Sequence, residues 1–270
     1  MARTPLMVAN WKMNKTTAEA ASLTTDIVMD LKASHLKDIE LVICPPFTDI
    51  RTVSTVLEFE HSHIQLGAQD VYWQDDGAYT GSISARMLAE IGCRYCIVGH
   101  SERRQYFKET DREISLKMVA LAAHDVIPIL CVGESARVRA SGARVAGAFV
   151  MQQLEAALVG FLRDAPGAEF VVAYEPIWSI GTGNTATPNA SQSMARAIRR
   201  QLAALATADV AERTRILYGG SLAYTNIALF AATADIDGGL VGGSSLVAED
   251  FSRLVKNFAA TVRGETVEEY

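Results

Sequence analysis

The stretch Thr214-Arg215-Ile216-Leu217-Tyr218-Gly219-Gly220-Ser221 is soon followed by Asp237-Gly238-Gly239-Leu240-Val241-Gly242-Gly243-Ser244. Each is a short, largely apolar run that stops at two glycines and a serine. Six similar runs precede them: Leu6–Ala9, Leu41–Cys44, Ile64–Gly67, Tyr95–Val98, Ile127–Val132 and Glu169–Tyr174. Amphipathic stretches lie between, at Thr17–Lys32, Asp111–Ala123, Val145–Leu162, Ser191–Ala206 and Ala248–Ala260. Strands alternating with helices, without a long linker, make a parallel sheet with crossover connections. The runs are apolar throughout rather than alternating, as in strands buried on both faces. Eight such units in this length predict a closed (β/α)8 barrel rather than an open, doubly wound sheet.

The chain has 270 residues, 25 basic against 31 acidic side chains, and 49% apolar residues. Single α/β barrels routinely run to ~250 residues, so one domain over 1–270 is expected. Gly264–Tyr270 reads as a frayed end. A net charge of −6 argues against duplex nucleic acid, which is held by clustered Lys and Arg. It leaves room for one small anion on backbone N–H groups. Cys44, Cys93, Cys96 and Cys131 are scattered and outline no disulfide framework. The N-terminal apolar stretch is too short for a secretory signal, and Val119–Val132 is broken by His124, Asp125 and Pro128. These features predict a soluble, cytoplasmic protein away from membranes.

In such barrels the chemistry sits on the loops that follow the strands. Asn10-Trp11-Lys12 follows the first strand, and Gly99-His100-Ser101-Glu102 the fourth. Glu175-Pro176-Ile177-Trp178 follows the sixth, and the two Gly-Gly-Ser strings follow the last two. A single Gly-Gly is usually a tight turn. Two of them after consecutive final strands fit a phosphate cup, because no side chain blocks the backbone.

Glu175, between a strand and a proline, suits a general base that takes a proton from carbon; the plainer reading is a strand-end glutamate paired with a cation. The loop Pro176–Ala186 has rigid ends and a glycine-containing tip, as a hinged lid needs. His100 precedes a helix start, whose positive end favours a neutral ring. The other histidines, His35, His61, His63 and His124, read as structural or solvated. Lys12 and Asn10 form an i, i+2 pair on one side of a strand, where Lys12 can face a developing oxyanion. Together these groups predict aldose–ketose isomerisation of a small phosphorylated sugar through an enediolate, with no metal or organic cofactor required.

Ala9-Asn10-Trp11-Lys12-Met13-Asn14, Gly99-His100-Ser101-Glu102-Arg103-Arg104, Ala173-Tyr174-Glu175-Pro176-Ile177-Trp178, Gly181-Thr182-Gly183, Tyr218-Gly219-Gly220-Ser221 and Leu240-Val241-Gly242-Gly243 occur in this order. Taken together, from Leu6 to Phe258, they resemble the triosephosphate isomerase family, whose TIM-barrel members pair a glutamate base with a neutral histidine. The resemblance implies interconversion of dihydroxyacetone phosphate and glyceraldehyde 3-phosphate. It implies Glu175 as base, His100 as electrophile, Lys12 as electrostatic stabiliser and Asn10 as a positioning group, supported by Glu102. Gly181, Ser221, Gly242 and Gly243 would hold phosphate through their amides, and Tyr218 and Ser221 would bond the closed lid. It also implies a homodimer in which the loop Asp70–Ser84 inserts Ala78-Tyr79-Thr80-Gly81 into its partner. The chain departs from the family at Ser82, usually glutamate, at Asn184, usually lysine, and in the Ala- and Arg-rich stretch Ser135–Gly147.

Cys93-Arg94-Tyr95-Cys96 has redox spacing but straddles a strand entrance, which predicts buried thiols on opposite faces. The Gly181–Ala186 glycines do not directly follow a strand, against a dinucleotide fingerprint, and Gly99–Arg103 lacks the last glycine of a hydrolase elbow. Two alternatives stay open at this point. One is an isomerase of a related sugar such as a tetrulose phosphate. The other is a sugar-phosphate-binding barrel without catalysis.

Overall fold

The computed structural model describes residues 3–180 and 186–265. Its elements alternate as the sequence predicts: β1 Leu6–Asn10, α1 Thr17–Asp30, β2 Glu40–Cys44, α2 Ile50–Phe59, β3 Gln65–Ala68, α3 Ala85–Glu90, β4 Cys93–Val98 and α4 Ser101–Tyr106. They continue with α5 Asp111–Ala122, β5 Ile127–Val132, α6 Ala136–Ala140, α7 Ala143–Asp164, β6 Val171–Tyr174, α8 Pro188–Leu205, α9 Ala208–Arg213, β7 Arg215–Tyr218, α10 Ile227–Ala231, β8 Gly238–Val241 and α11 Ala248–Val262. The strands close into a parallel barrel in sequence order, with Val8 of β1 opposite both Val42 and Leu240. This is a single-domain (β/α)8 TIM barrel.

Why the strands read as unbroken apolar runs is visible in the two layers they feed. Leu6, Val8, Val42, Cys44, Ile129, Cys131 and Leu217 pack inside the barrel. Their strand neighbours Met7, Ala9, Leu41, Ile43, Leu130, Val132 and Ile216 pack outward under the helices. Alternation exists, but both faces are dry. Cys93 and Cys96 depart from expectation, since both join the outer layer where the β3–β4 register shifts between Leu66 and Gly67. All four cysteines are free and buried, and burial pushes the Cys93 thiol up to about 12.

Helix starts follow local chemistry. Thr110 and Glu113 form a capping box on α5, and the Thr187 hydroxyl caps α8 with Pro188 in its first turn. By length and composition α7 could cross a membrane. Here it lays Val150, Leu154, Ala157, Leu158 and Phe161 into the core. Past Glu265, the expected frayed end lies outside the described residues.

Candidate active site

Parallel strands point every carboxyl end to the same rim, so residues distant in sequence meet there. A cavity of about 270 Å³ opens on that rim, lined by Asn10, Lys12, His100, Glu175, Ser221, Gly242 and Gly243, with Ile180, Leu222 and Leu240 as its apolar wall. Seven of the expected site residues therefore share one cavity. Glu102 lies behind it, bonded to Lys12, and Gly181 lies outside the described residues.

Glu175 directly follows β6 and is almost fully buried. Its Oε2 accepts the Ser101 N–H at 2.9 Å, and its Oε1 lies 3.0 Å from His100 Nε2. Burial opposes the carboxylate charge. His100, the Ser101 amide and Lys12 outweigh it, and the group is held below the usual carboxylate range. His100 is the N-cap of α4, and its Nδ1 accepts the Glu102 N–H at 3.2 Å. That leaves Nε2 to carry the proton of a neutral ring and donate it to Glu175. Burial works against charge on the ring, while the Glu175 and Glu102 carboxylates draw its pKa upward, in net above the ordinary histidine value. The helix start alone, from which the sequence predicts neutrality, is thus opposed by a carboxylate from another strand. The Glu102 N–H on Nδ1 works the other way, since it occupies the lone pair that a second proton would take.

Lys12 reaches the cavity by a different route from the one expected. β1 ends at Asn10, and Lys12 sits beyond it in the left-handed region with φ 52°. The i, i+2 strand rule therefore does not place it. Instead Asn10 Oδ1 accepts the Lys12 N–H at 3.0 Å, and Gln69 Nε2 donates to Lys12 O at 2.9 Å. These bonds offset the cost of the strained backbone. The Lys12 ammonium donates to Glu102 Oε1 at 2.6 Å.

None of the four glycines that end β7 and β8 has a positive φ among the described residues, so turn geometry does not demand them. Space does. A Cβ on Gly219 would stand 3.0 Å from Glu175 Cγ, and one on Gly242 would stand 3.3 Å from Lys12 Cε. Bare backbone here keeps the cavity open beside the base and the ammonium. Ser221 donates its hydroxyl to Ser179 O at 2.8 Å.

Three contributors lie outside the residues that the sequence singles out: the Ser101 amide, the Gln69 side chain, and a buried carboxylate at Glu134. Glu134 accepts from Tyr174 Oη at 3.1 Å and from Trp178 Nε1 at 2.9 Å, bracketing Glu175 along the chain. The string Gly133-Glu134 after β5 was the available signal for the last. Among the described residues no three His, Cys, Asp or Glu side chains cluster as a metal site requires.

The sequence model of the triosephosphate isomerase family matches residues 5–258. The chain is 46% identical to the triosephosphate isomerase of Caldanaerobacter subterraneus subsp. tengcongensis, over 94% of this chain and 99% of that one. It is 49% identical to that of Roseiflexus sp. strain RS-1, over 94% and 97%, and 45% identical to that of Cutibacterium acnes, over 96% and 100%. With its closed eight-stranded barrel and nearly full-length match, this chain belongs to the triosephosphate isomerase family.

Proposed function

We propose that this chain interconverts dihydroxyacetone phosphate and glyceraldehyde 3-phosphate, with Glu175 moving the proton between adjacent carbons. The observation that carries this reading is the buried Glu175–His100 contact, 3.0 Å across, in one cavity with the Lys12 ammonium. Held below the usual carboxylate range, Glu175 is ionised and can accept a proton. To reach substrate carbon it gives up the Ser101 N–H that now holds Oε2. His100 Nε2–H, freed from Glu175, then donates to the substrate oxygens. The Lys12 ammonium faces the charge that develops on them. Asn10 fixes Lys12, and Glu102 ties Lys12 to α4. The amides of Ser221, Gly242 and Gly243, with Gly181 expected alongside, hold the phosphate. The cavity, about 270 Å³, lies just below the usual size of ligand sites (~300–1,000 Å³), in keeping with a substrate as small as a triose phosphate. The test is kcat/KM on three- and four-carbon ketose phosphates, with inorganic phosphate as inhibitor. Preference for the triose and competitive inhibition are expected; the reverse preference or noncompetitive inhibition contradicts the reading.

The same reading includes a homodimer. Beside the site lies a cavity of about 610 Å³, lined in part by Met13, Phe47, Gln69, Glu102, Tyr106 and Phe107. Its apolar rim is open to solvent in the single chain, Met13 at 95% and Tyr106 at 68% exposure. A large exposed apolar rim marks a partner surface, and the tip Ala78–Gly81 of a second copy, with half-exposed Tyr79, suits it. Met13→Asp is expected to shift sedimentation from dimer to monomer. A cytoplasmic location accompanies this reading.

A further inference from the structure

We propose that Arg104 is a positioning residue for the reaction, acting through the Gly99 turn that delivers His100 and the Ser101 amide into the cavity. The proposal rests on the roles given above to His100 and Glu175. Gly99 follows β4 with φ +68°, a conformation that L side chains rarely adopt. The place its side chain would fill is taken: a Cβ there would meet Ile114 Cδ1 at 2.8 Å and Arg104 Nη2 at 3.0 Å. The guanidinium therefore lies directly beneath the turn.

From there it donates in three directions. Nε donates to Gly99 O at 2.7 Å, Nη2 to Cys131 O at 3.1 Å, and Nη1 to the Asp111 carboxylate. The planar fork thus joins the end of β4, strand β5 and the first residue of α5. Gly99 O belongs to the peptide group whose N–H end is His100, so holding that carbonyl sets the plane from which His100 and Ser101 depart. Those two residues supply both contacts to the Glu175 carboxylate. Arg103, next in sequence, faces away: it pairs with Asp70 at 2.8 Å and stacks over Phe107. Only the second arginine supports the reacting groups.

The experiment compares Arg104→Lys, Arg104→Met and Arg104→Ala with the wild-type enzyme. A misplacement of about 1 Å costs up to ~100-fold in rate, so kcat is expected to fall ~10- to 100-fold in all three. KM and the inhibition constant for inorganic phosphate should stay within ~2-fold, because the phosphate amides lie elsewhere on the rim. The ¹⁵N resonances of the His100 ring should shift, and ethylguanidinium at millimolar concentration should partly restore Arg104→Ala. If the variants keep wild-type kcat, or if specific activity falls only with the folded fraction and ethylguanidinium restores nothing, the proposal is overturned. Should these variants not fold, Asp111→Asn removes only the counter-charge. A ~3-fold fall in kcat at unchanged KM then supports the proposal, and unchanged kcat overturns it. An inactive wild-type chain would instead refute the function itself, so the two failures are distinguishable.

Discussion

The two rims of this barrel use the same residue types for opposite ends. At the amino rim Arg199 donates to Asp235 Oδ1, Asp237 Oδ2, Ala211 O and Thr214 O at 2.6–2.9 Å. Arg215 donates to Glu40 at 2.6 Å, Glu169 at 2.7 Å and Tyr95 Oη at 2.9 Å. These charges are spent on each other and on loose carbonyls, and they tie strands and helices together. At the carboxyl rim Glu175, His100 and Lys12 are arranged around a cavity, with Lys12 and Gly99 in left-handed conformations. Their partners can be exchanged for a ligand. The difference is the one between charge that is satisfied for good and charge that is held ready.

Removing the base should break the comparison most sharply. Glu175→Asp withdraws the carboxylate by about 1 Å, and kcat is expected to fall ~100-fold or more with KM little changed. Its thermal midpoint should hold near that of the wild type, since the Glu175 carboxylate is bonded to groups of the site itself, His100 and the Ser101 amide. A large loss of stability in that variant would mean the two rims are not separable in this way.

Arg199→Met is the converse. It takes one donor from each of two buried carbonyls and two carboxylates, at a cost of about 2–3 kcal/mol. A loss of that size lowers the midpoint by roughly 4–12 °C for a domain of this size. The kcat/KM of the folded fraction should equal the wild-type value; a matching kinetic defect would show that the amino rim reaches the site.

The smallest expected effect is on acid stability. Burial raises the Asp235 carboxyl, but hydrogen bonds from Arg199, Gln192 and Arg196 outweigh it and hold the group below its ordinary 3.8. A carboxyl depressed in the folded state stabilises it above the unfolded value and loses that contribution as pH falls through the folded value. The wild-type midpoint should therefore decline below about pH 4, and Asp235→Asn should decline less over the same window. Parallel curves would remove Asp235 from the account.

How far the sequence carries is clearest residue by residue. The strands were legible because each has two dry faces, and β5 matches its apolar run end for end. α2 carries Ile50, Val53 and Leu57 at helical spacing, a signal the longer amphipathic stretches outweighed. α3, α4, α6, α9 and α10 are five or six residues long, under two turns, and too short for periodicity to register. Glu175, His100 and the two Gly-Gly strings could be picked out by their position after strands. The Ser101 amide and the carbonyls under Arg104 could not, because backbone groups have no letter of their own. Lys12 was found for a reason that does not hold: strand alternation stops at Asn10, and a left-handed turn braced by Gln69 does the aiming.

The most direct test of the central claim follows hydrogen itself. Dihydroxyacetone phosphate in D₂O is incubated with the wild-type enzyme and with Glu175→Gln, and deuterium entering at carbon is read by NMR. The wild type should incorporate deuterium rapidly, and the glutamine variant, folded and still inhibited by phosphate, should be slower by ~1,000-fold or more. Equal exchange by both proteins would contradict the assignment of Glu175 as the base.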